Sequence, residues 1–336
     1  TQALPLPVTA LLVPLLAGAT GLMDVRAALA SFAHPIIFLF LGGFALASAL
    51  QQHGLDRALA HAVLRAAAHH RGRAVFLLAA LSALLSMWIS NTATAAMMLP
   101  LMLGLLADPQ AGGGDASPAS ARTRTFALLA IAYSASIGGI ATLVGSPPNA
   151  IAAAQAGIGF TQWLAYGLPA ALLIWPVAMG VLWLALRPGL RGTMHIESSS
   201  ITWTRPRITT LTVFIATVAC WVAGAPIARA LGVSGDVDSM VALAAVIVLI
   251  ASGCLRWRTL ESQTNWGVLL LFGGGLALSE VMQSSGASAF LAAQVLTLVR
   301  ESSPLLVMAL VIAFVVFLTE LVSNTASAAL VLPILL

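Results

Sequence analysis

The sequence from residue 88 to residue 100 reads WISNTATAAMMLP, and apolar residues enclose its polar triplet Ser90-Asn91-Thr92. The triplet returns as Ser323-Asn324-Thr325 within VSNTASAALVLP, residues 322–333. Eight of the eleven positions in residues 90–100 match residues 323–333. One such triplet could simply hold two membrane helices together by hydrogen bonds. Two copies in matching apolar settings instead indicate a binding site built from two repeats.

The composition is that of an integral membrane protein. The chain has 336 residues, of which 60% are hydrophobic and 8% are charged, whereas a soluble domain carries about 25% charge. All fifteen basic residues are arginines, and most of them lie in the stretches between apolar runs, so the net charge of +4 does not indicate nucleic acid as a partner. No metal-ligand cluster or nucleophile motif supports an enzyme.

The apolar runs are long enough to predict an all-α polytopic fold. Complete spans are predicted at residues 4–20, 35–51, 164–186, 208–231, 239–255 and 266–282. The runs 74–106 and 304–336 contain the triplets, and each is predicted to form a re-entrant hairpin of two half-length helices. Segments 54–70 and 286–300 have the mixed polarity of helices that lie in the membrane interface.

A further apolar run, residues 125–156, is predicted to be a broken helix. It contains Ser-Ile-Gly-Gly at 136–139 and Gly-Ser-Pro-Pro-Asn at 145–149, and glycines and prolines interrupt helices. Broken backbone at membrane depth is tolerated only where protein or a watery cavity satisfies it. Residues 107–124 before this run are rich in Gly, Ser, Asp and Pro and predict a loop.

The repeat is wider than the triplets, and its two copies are predicted to be inverted. Residues 40–46 (FLGGFAL) resemble residues 272–278 (FGGGLAL), and their glycines are interpreted as close-packing sites. Five spans separate the two triplets, namely the broken helix 125–156 and the four complete spans that follow it. An odd number of spans gives the repeats opposite orientations. The distribution of the arginines agrees with this topology. Twelve of the fifteen fall in loops that the topology places on a single side of the membrane, predicted to be the cytoplasmic side.

The tips carry neutral oxygen atoms and amides. Ser86 and Ser90 are four residues apart, as are Thr319 and Ser323, which predicts that each pair shares one helix face before the break. Such oxygens suit a hard cation such as Na⁺. The helix that begins at each triplet directs its N-terminal N–H groups at the tip, where they attract an anion.

Two intramembrane acids are functional candidates. For Glu320, hydrogen bonding within the fold and coupling to an ion remain open alternatives. For Glu280, which replaces Ser48 of the first repeat, a structural role is favoured.

With these motifs the chain resembles the divalent-anion/sodium symporter family, the INDY-type dicarboxylate transporters. The resemblance is carried by both triplets, by Thr319-Glu320 and by the segments 136–139 and 145–149. It implies a homodimer embedded in lipid, an elevator mechanism and a bacterial inner-membrane location. A scaffold domain would comprise 1–70 and 205–300, with interfacial arms at 54–70 and 286–300, and a transport domain would comprise 74–187 and 303–336. The chain is expected to be a fragment that lacks the family's first two helices and its C-terminal part.

The resemblance also implies a set of site residues. One Na⁺ site would use Ser86, Ser90, Asn91 and Gly145, and a second would use Thr319, Val322 (through its backbone) and Asn324. The substrate carboxylates would meet Asn91, Thr92, Ser146, Pro147, Asn324 and Thr325. No organic cofactor is expected.

The function expected from these features is Na⁺-coupled import of small dianions by a secondary transporter, with C4-dicarboxylates such as succinate as substrates. One alternative is a Na⁺-independent dicarboxylate exchanger of the same fold. Others are a transporter of sulfate-like anions and an anion channel, since channels too use polar re-entrant loops.

Overall fold

The computed structural model describes residues 4–106, 118–190, 202–232, 236–299 and 303–335. Every regular element in these ranges is helical, as the sequence predicts. Up to residue 190 the helices are α1 (Leu6–Ala19), α2 (Val25–Ala30), α3 (Pro35–Gln52), α4 (Leu55–Ala66), α5 (Arg71–Ser86), α6 (Asn91–Leu106), α7 (Pro118–Gly138), α8 (Pro147–Ala156) and α9 (Phe160–Leu186). After residue 190 they are α10 (Arg205–Val222), α11 (Gly224–Leu231), α12 (Val237–Ala251), α13 (Trp257–Gln263), α14 (Trp266–Ser284), α15 (Ala287–Val299), α16 (Pro304–Leu321) and α17 (Asn324–Leu335).

Several of these helices could cross a membrane. Within the described ranges, the segments long and apolar enough to do so are Val25–Gln52, Phe160–Leu186, Trp266–Ser284 and Pro304–Leu321. Shorter apolar helices are Leu6–Ala19, Asn91–Leu106 and Val237–Ala251. This set of apolar helices fits a polytopic membrane protein.

The breaks lie where the polar triplets and the Gly/Pro segment predict them. The helix α5 ends at Ser86 and α6 begins at Asn91, and the same interruption separates Leu321 from Asn324. Residues 139–146 separate α7 from α8, which begins at Pro147, because proline fits the first turn of a helix but not its interior. Re-entry of the hairpins into a membrane stays a prediction.

Two predicted boundaries were wrong. The predicted span 208–231 is interrupted at Ala223, where α10 ends and α11 begins. Pro226 explains the break, because its ring would clash with the carbonyl of Val222 in a continuous helix. The predicted loop 107–124 is helical from Pro118 onward. Its residues 107–117 lie outside the described residues, as do Arg191 and Arg300 of the arginine count.

The chain divides into two compact units. Unit 1 comprises residues 1–41, 147–159 and 264–336, and unit 2 comprises residues 42–146 and 160–263. In unit 2 the helices α5, α6, α7 and α9 enclose a hydrophobic core that includes the fully buried Leu78, Met98, Met102 and Phe126. In unit 1 the helix α14 packs against α1, α8 and α17. The predicted division into scaffold and transport domains is a statement about motion and remains a prediction.

The repeated glycines are close-packing sites, as predicted. In unit 2, a Cβ added to Gly42 would lie 2.9 Å from the Cα atom of Ala242. In unit 1, a Cβ added to Gly274 would lie 2.7 Å from the Cα atom of Ala10. Real Cβ atoms are not found so close to backbone, so both contacts require glycine. The two pairs correspond, because Gly274 and Gly42 differ by 232 positions (274 − 42), and so do Ala242 and Ala10 (242 − 10).

The two predicted arms are helical, as α4 and α15. In α4 the side chains of Leu55 and Leu64 are buried, while Arg57 and Arg65 are exposed. This is the two-sided character expected of an interfacial helix.

The acidic residues of the apolar helices differ in their contacts. Glu280 accepts a hydrogen bond from the Ser31 hydroxyl at 3.1 Å, which supports the structural role. Glu320 is exposed on α16, and none of the residues of this helix is buried within the described chain. Its two alternatives stay open.

Candidate functional site

The first tip is organised by Ser90, which caps α6. The Ser90 hydroxyl accepts a hydrogen bond from the N–H of Ala93 at 3.3 Å, and its carbonyl accepts from the N–H of Thr94 at 2.9 Å. Serine is a favoured N-cap because its side-chain oxygen satisfies an N–H of the first turn. The N–H groups of Asn91 and Thr92 lie in that first turn and have no intrahelical acceptor. The sequence therefore places free donors at the tip.

The predicted shared face for each four-residue pair was wrong. The helix α5 ends at Ser86 and α16 ends at Leu321, so neither Ser90 nor Ser323 continues the preceding helix. Each of these serines caps the following helix instead. The four-residue spacing predicts a continuous helix through both members of each pair, but the preceding helix ends before it reaches the second member.

Ser86 fixes the side chain of Asn91. The Ser86 hydroxyl is fully buried and donates a hydrogen bond to Asn91 Oδ1 at 2.7 Å. An amide oxygen has two acceptor sites, so Oδ1 keeps one for a further partner. The amide nitrogen of Asn91 remains a donor of two hydrogen bonds. Asn91 can therefore face a cation with its oxygen and an anion with its nitrogen.

Two glycines from the 139–146 segment form a cradle around this pair. A Cβ added to Gly139 would lie 2.3 Å from Asn91 Oδ1. A Cβ added to Gly145 would lie 2.6 Å from the carbonyl oxygen of Gly139 and 3.0 Å from that of Ser86. Side-chain and carbonyl oxygens thus converge where no Cβ occupies space. Neutral oxygens are the kind of ligand that a hard cation takes.

The segment that holds Gly145 is braced from two directions. The Thr142 hydroxyl donates to the carbonyl of Met87, next to Ser86, and accepts from the N–H of Gly145 at 3.2 Å. On the other side, the Trp163 indole of α9 donates to the carbonyl of Ile140 at 3.0 Å. Irregular backbone inside an apolar protein needs such partners for its polar groups. Thr142 ties the end of α5 to the cradle.

We expect Thr142→Val to loosen the cradle. Valine nearly matches threonine in volume but leaves the Met87 carbonyl and the Gly145 N–H without this partner, at a cost of about 1–3 kcal/mol in the free energy of unfolding. Thermal unfolding of the purified protein, with and without Na⁺, measures this cost. Thr142→Ser keeps the hydroxyl and is the control. Equal stability of the valine and serine variants would contradict the bracing role.

The second tip repeats the cap but not the cluster. The Ser323 hydroxyl accepts from the N–H of Ala326 at 3.2 Å, as Ser90 does from Ala93. Thr319 donates its hydroxyl to the Val316 carbonyl at 2.8 Å, and the N–H of Val322 bonds to the Leu318 carbonyl. Within the described ranges, no hydrogen bond joins Thr319, Val322 and Asn324. The second predicted Na⁺ site therefore stays a prediction.

The predicted substrate residues differ in exposure. Thr92 and Asn324 are exposed, whereas Asn91, Ser146, Pro147 and Thr325 are half-buried. Asn91, Thr92 and Ser146 belong to unit 2, and Pro147, Asn324 and Thr325 belong to unit 1. Their common role in binding one substrate stays a prediction.

Sequence reasoning missed two residues of the first tip. In the sequence Gly139 is part of a helix-breaking motif, and nothing in that motif predicts its contact with Asn91. Thr142 looked like any threonine in an apolar run, and only the three-dimensional structure reveals that it bonds to a carbonyl 55 positions earlier.

Comparison with known proteins gives this arrangement its context. The chain matches the family described as citrate transporter (CitMHS) over residues 1–336. The chain belongs to the citrate transporter family. It is 44% identical to an uncharacterized transporter of Haemophilus influenzae, over 99% of this chain and 73% of the relative. It is 30% identical to the sodium-dependent dicarboxylate transporter SdcS of Staphylococcus saprophyticus, over 100% of this chain and 69% of the relative.

These relatives confirm the resemblance inferred from the triplets and the Gly/Pro motif. A second uncharacterized transporter, from Methanocaldococcus jannaschii, is 35% identical over 99% of this chain and 74% of its own length. Members of the citrate transporter family are transporters and not enzymes, as predicted. With its apolar helices, this member of the family is a multi-pass integral protein of the plasma membrane.

Proposed function

We propose that this member of the citrate transporter family imports C4-dicarboxylates such as succinate together with Na⁺. The observation that carries the proposal is the cradle, in which Ser86, Asn91, Gly139 and Gly145 gather neutral oxygens beside the start of α6. Na⁺ takes the oxygens, and the helix N-terminus takes a carboxylate. A relative whose name states sodium-dependent dicarboxylate transport supports both halves of the proposal.

Citrate is a second candidate substrate, because the family description names it. In the proposed site the two negative charges of a dicarboxylate would be met by amides, hydroxyls, helix N-termini and bound Na⁺, without an arginine. A third carboxylate would need a further donor or a bound proton. This makes the dicarboxylate the better match.

Inverted repeats, elevator motion and a homodimer belong to the same proposal. The corresponding contacts of Gly42 with Ala242 and of Gly274 with Ala10 support the repeat, because a duplicated fold reproduces its close-packing sites at a constant offset. The matching caps by Ser90 and Ser323 support it as well. The elevator and the homodimer rest on the family resemblance.

Uptake by the full-length protein in proteoliposomes tests the proposal. Labelled succinate should enter against its gradient when Na⁺ is high outside, and collapse of the Na⁺ gradient should abolish accumulation. Unlabelled citrate and sulfate, added in excess, report which anion competes. Uptake that ignores Na⁺ but needs an internal dicarboxylate would identify an exchanger, and a conductance that does not saturate would identify a channel.

A further inference from the structure

The connection between α5 and α6 packs one large ring against an aromatic cluster of unit 2. Trp88 lies in this connection, two residues before the cap Ser90. Its ring stacks on Phe160 at a centroid distance of 6.2 Å and on Trp221 at 6.5 Å, with interplanar angles of 20° and 9°. Phe214 adds an edge contact at 5.4 Å. Stacked rings keep a preferred separation and orientation, so the cluster constrains the chain just before the first tip.

Both rings on which Trp88 stacks are held by Asp238, in the first turn of α12. Its carboxylate accepts a hydrogen bond from the backbone N–H of Phe160 at 2.8 Å, and its carbonyl accepts from the indole N–H of Trp221 at 2.9 Å. The two rings also stack on each other at 5.0 Å, and both side chains are fully buried. One residue of α12 thus fixes a ring of α9 and a ring of α10 against each other.

The Asp238 carboxylate serves α9 and not its own helix. Phe160 is the first residue of α9, so its N–H has no acceptor within that helix. A carboxylate at a helix N-terminus is favoured by the helix dipole, and a charged acceptor makes the stronger kind of hydrogen bond. The N-cap of α12 is Asp236, which accepts from the N–H of Ser239 at 3.2 Å. The two acids, only two residues apart, therefore have separate tasks.

We propose that Asp238 is a positioning residue for the first tip and acts through the two rings that it holds. The rings set the place of Trp88, and Trp88 sets where the chain enters α6 at Asn91. The bond from Thr142 to the carbonyl of Met87 holds the same connection from the side of the cradle. The connection is therefore fixed at two successive residues by two different parts of unit 2. Its consequence for Na⁺ and dicarboxylate binding rests on the proposed function.

Hydrogen exchange of the full-length protein in lipid nanodiscs tests the positioning role without any substrate. The N–H groups of Trp88 and Ile89 both bond to the carbonyl of Leu85, at 3.0 and 2.9 Å, and exchange only when this local structure opens. Asp238→Ala removes the carboxylate and keeps the backbone carbonyl. It should accelerate exchange in a peptide that covers residues 86–93. A carboxylate that only capped α9 would alter exchange at the start of α9 and the melting temperature, and leave residues 86–93 unchanged.

Two further variants serve as controls. Asp238→Asn keeps an oxygen acceptor for the Phe160 N–H and should restore most of the protection of residues 86–93. Asp236→Ala removes the neighbouring acid of the same helix, whose side chain bonds to Ser239. It should lower the melting temperature and leave exchange at residues 86–93 as in the wild type. Wild-type exchange of residues 86–93 in Asp238→Ala would overturn the proposal.

Na⁺-dependent succinate binding tests the consequence for the site. Asp238→Ala should weaken succinate affinity by about 2- to 30-fold, the range for residues that act on a site through a packed network. Residues that act through one contact are not additive. In a Trp88→Leu background, Asp238→Ala should therefore lower the affinity by less than about a further twofold. Full additivity would overturn the route through Trp88. Faster exchange with unchanged succinate affinity would support the positioning role and contradict the binding role proposed for the tip.

Discussion

Gly139→Ala should disable Na⁺ and substrate binding while the protein still folds. The added Cβ would lie 2.3 Å from Asn91 Oδ1 and 3.0 Å from its Cγ. A side chain can move more easily than backbone, so Asn91 would rotate away and give up its bond to Ser86. An overpacked contact costs about 1–3 kcal/mol, which corresponds to about a 5- to 150-fold loss of affinity. Na⁺-dependent succinate binding and melting temperature, measured together, separate affinity from folding.

Gly104→Ala is the matched control. Gly104 lies on α6, the helix that begins at Asn91, and a Cβ added there meets nothing within 4 Å. Alanine at this position should leave affinity unchanged and stabilise the helix by up to about 1 kcal/mol. If Gly139→Ala bound Na⁺ and succinate as Gly104→Ala does, the cradle would not be the site.

Asn91→Asp should weaken dicarboxylate binding most of all single changes. Aspartate keeps an oxygen for the cation and for Ser86 but places a negative charge beside an anionic substrate. Like charges about 4 Å apart repel by roughly 4 kcal/mol at an effective dielectric of about 20, or about a thousandfold in affinity. Titration of the purified full-length protein with succinate at saturating Na⁺ measures the change. Unchanged succinate affinity would rule out Asn91 as a substrate ligand.

Asn91→Ala distinguishes a binding role from a purely structural one. Alanine removes both amide contacts, so affinity for Na⁺ and for succinate should fall together. If the triplet only joins helices, the variant would melt at a lower temperature and its folded fraction would bind succinate normally. The corresponding variants of Asn324 extend the test to the second tip, where the repeat predicts the same outcome.

The sequence predicts the helix breaks well because local chemistry determines them. Ser90 and Ser323 cap the helices that follow them with their own side chains, and Pro147 excludes itself from a helix interior. These effects act within about four residues and need no tertiary information. Pro226 is of the same kind, but the apolar run around it hid the break at Ala223.

The geometry of the cradle could not be predicted in the same way. Gly139 meets Asn91, and Thr142 meets Met87, across some fifty positions of sequence. Such contacts depend on how α5 and α7 pack, which no local pattern encodes. The burial of Asp56 was missed for a related reason. An acid on an amphipathic helix is expected on the solvated face, yet Asp56 in the first turn of α4 is only 3% exposed.

The contacts of Gly42 with Ala242 and of Ala10 with Gly274 can form only after a delay during biosynthesis, because the partners lie far apart in the sequence. Two hundred positions separate Gly42 from Ala242 (242 − 42 = 200), and the other pair is 264 positions apart (274 − 10 = 264). At about 5–20 residues per second, the ribosome needs roughly 10–40 s to make 200 residues. During that time the small-residue surface around Gly42 lacks its partner helix, α12. Nascent chains halted before residue 242 should therefore be good substrates for membrane quality-control proteases.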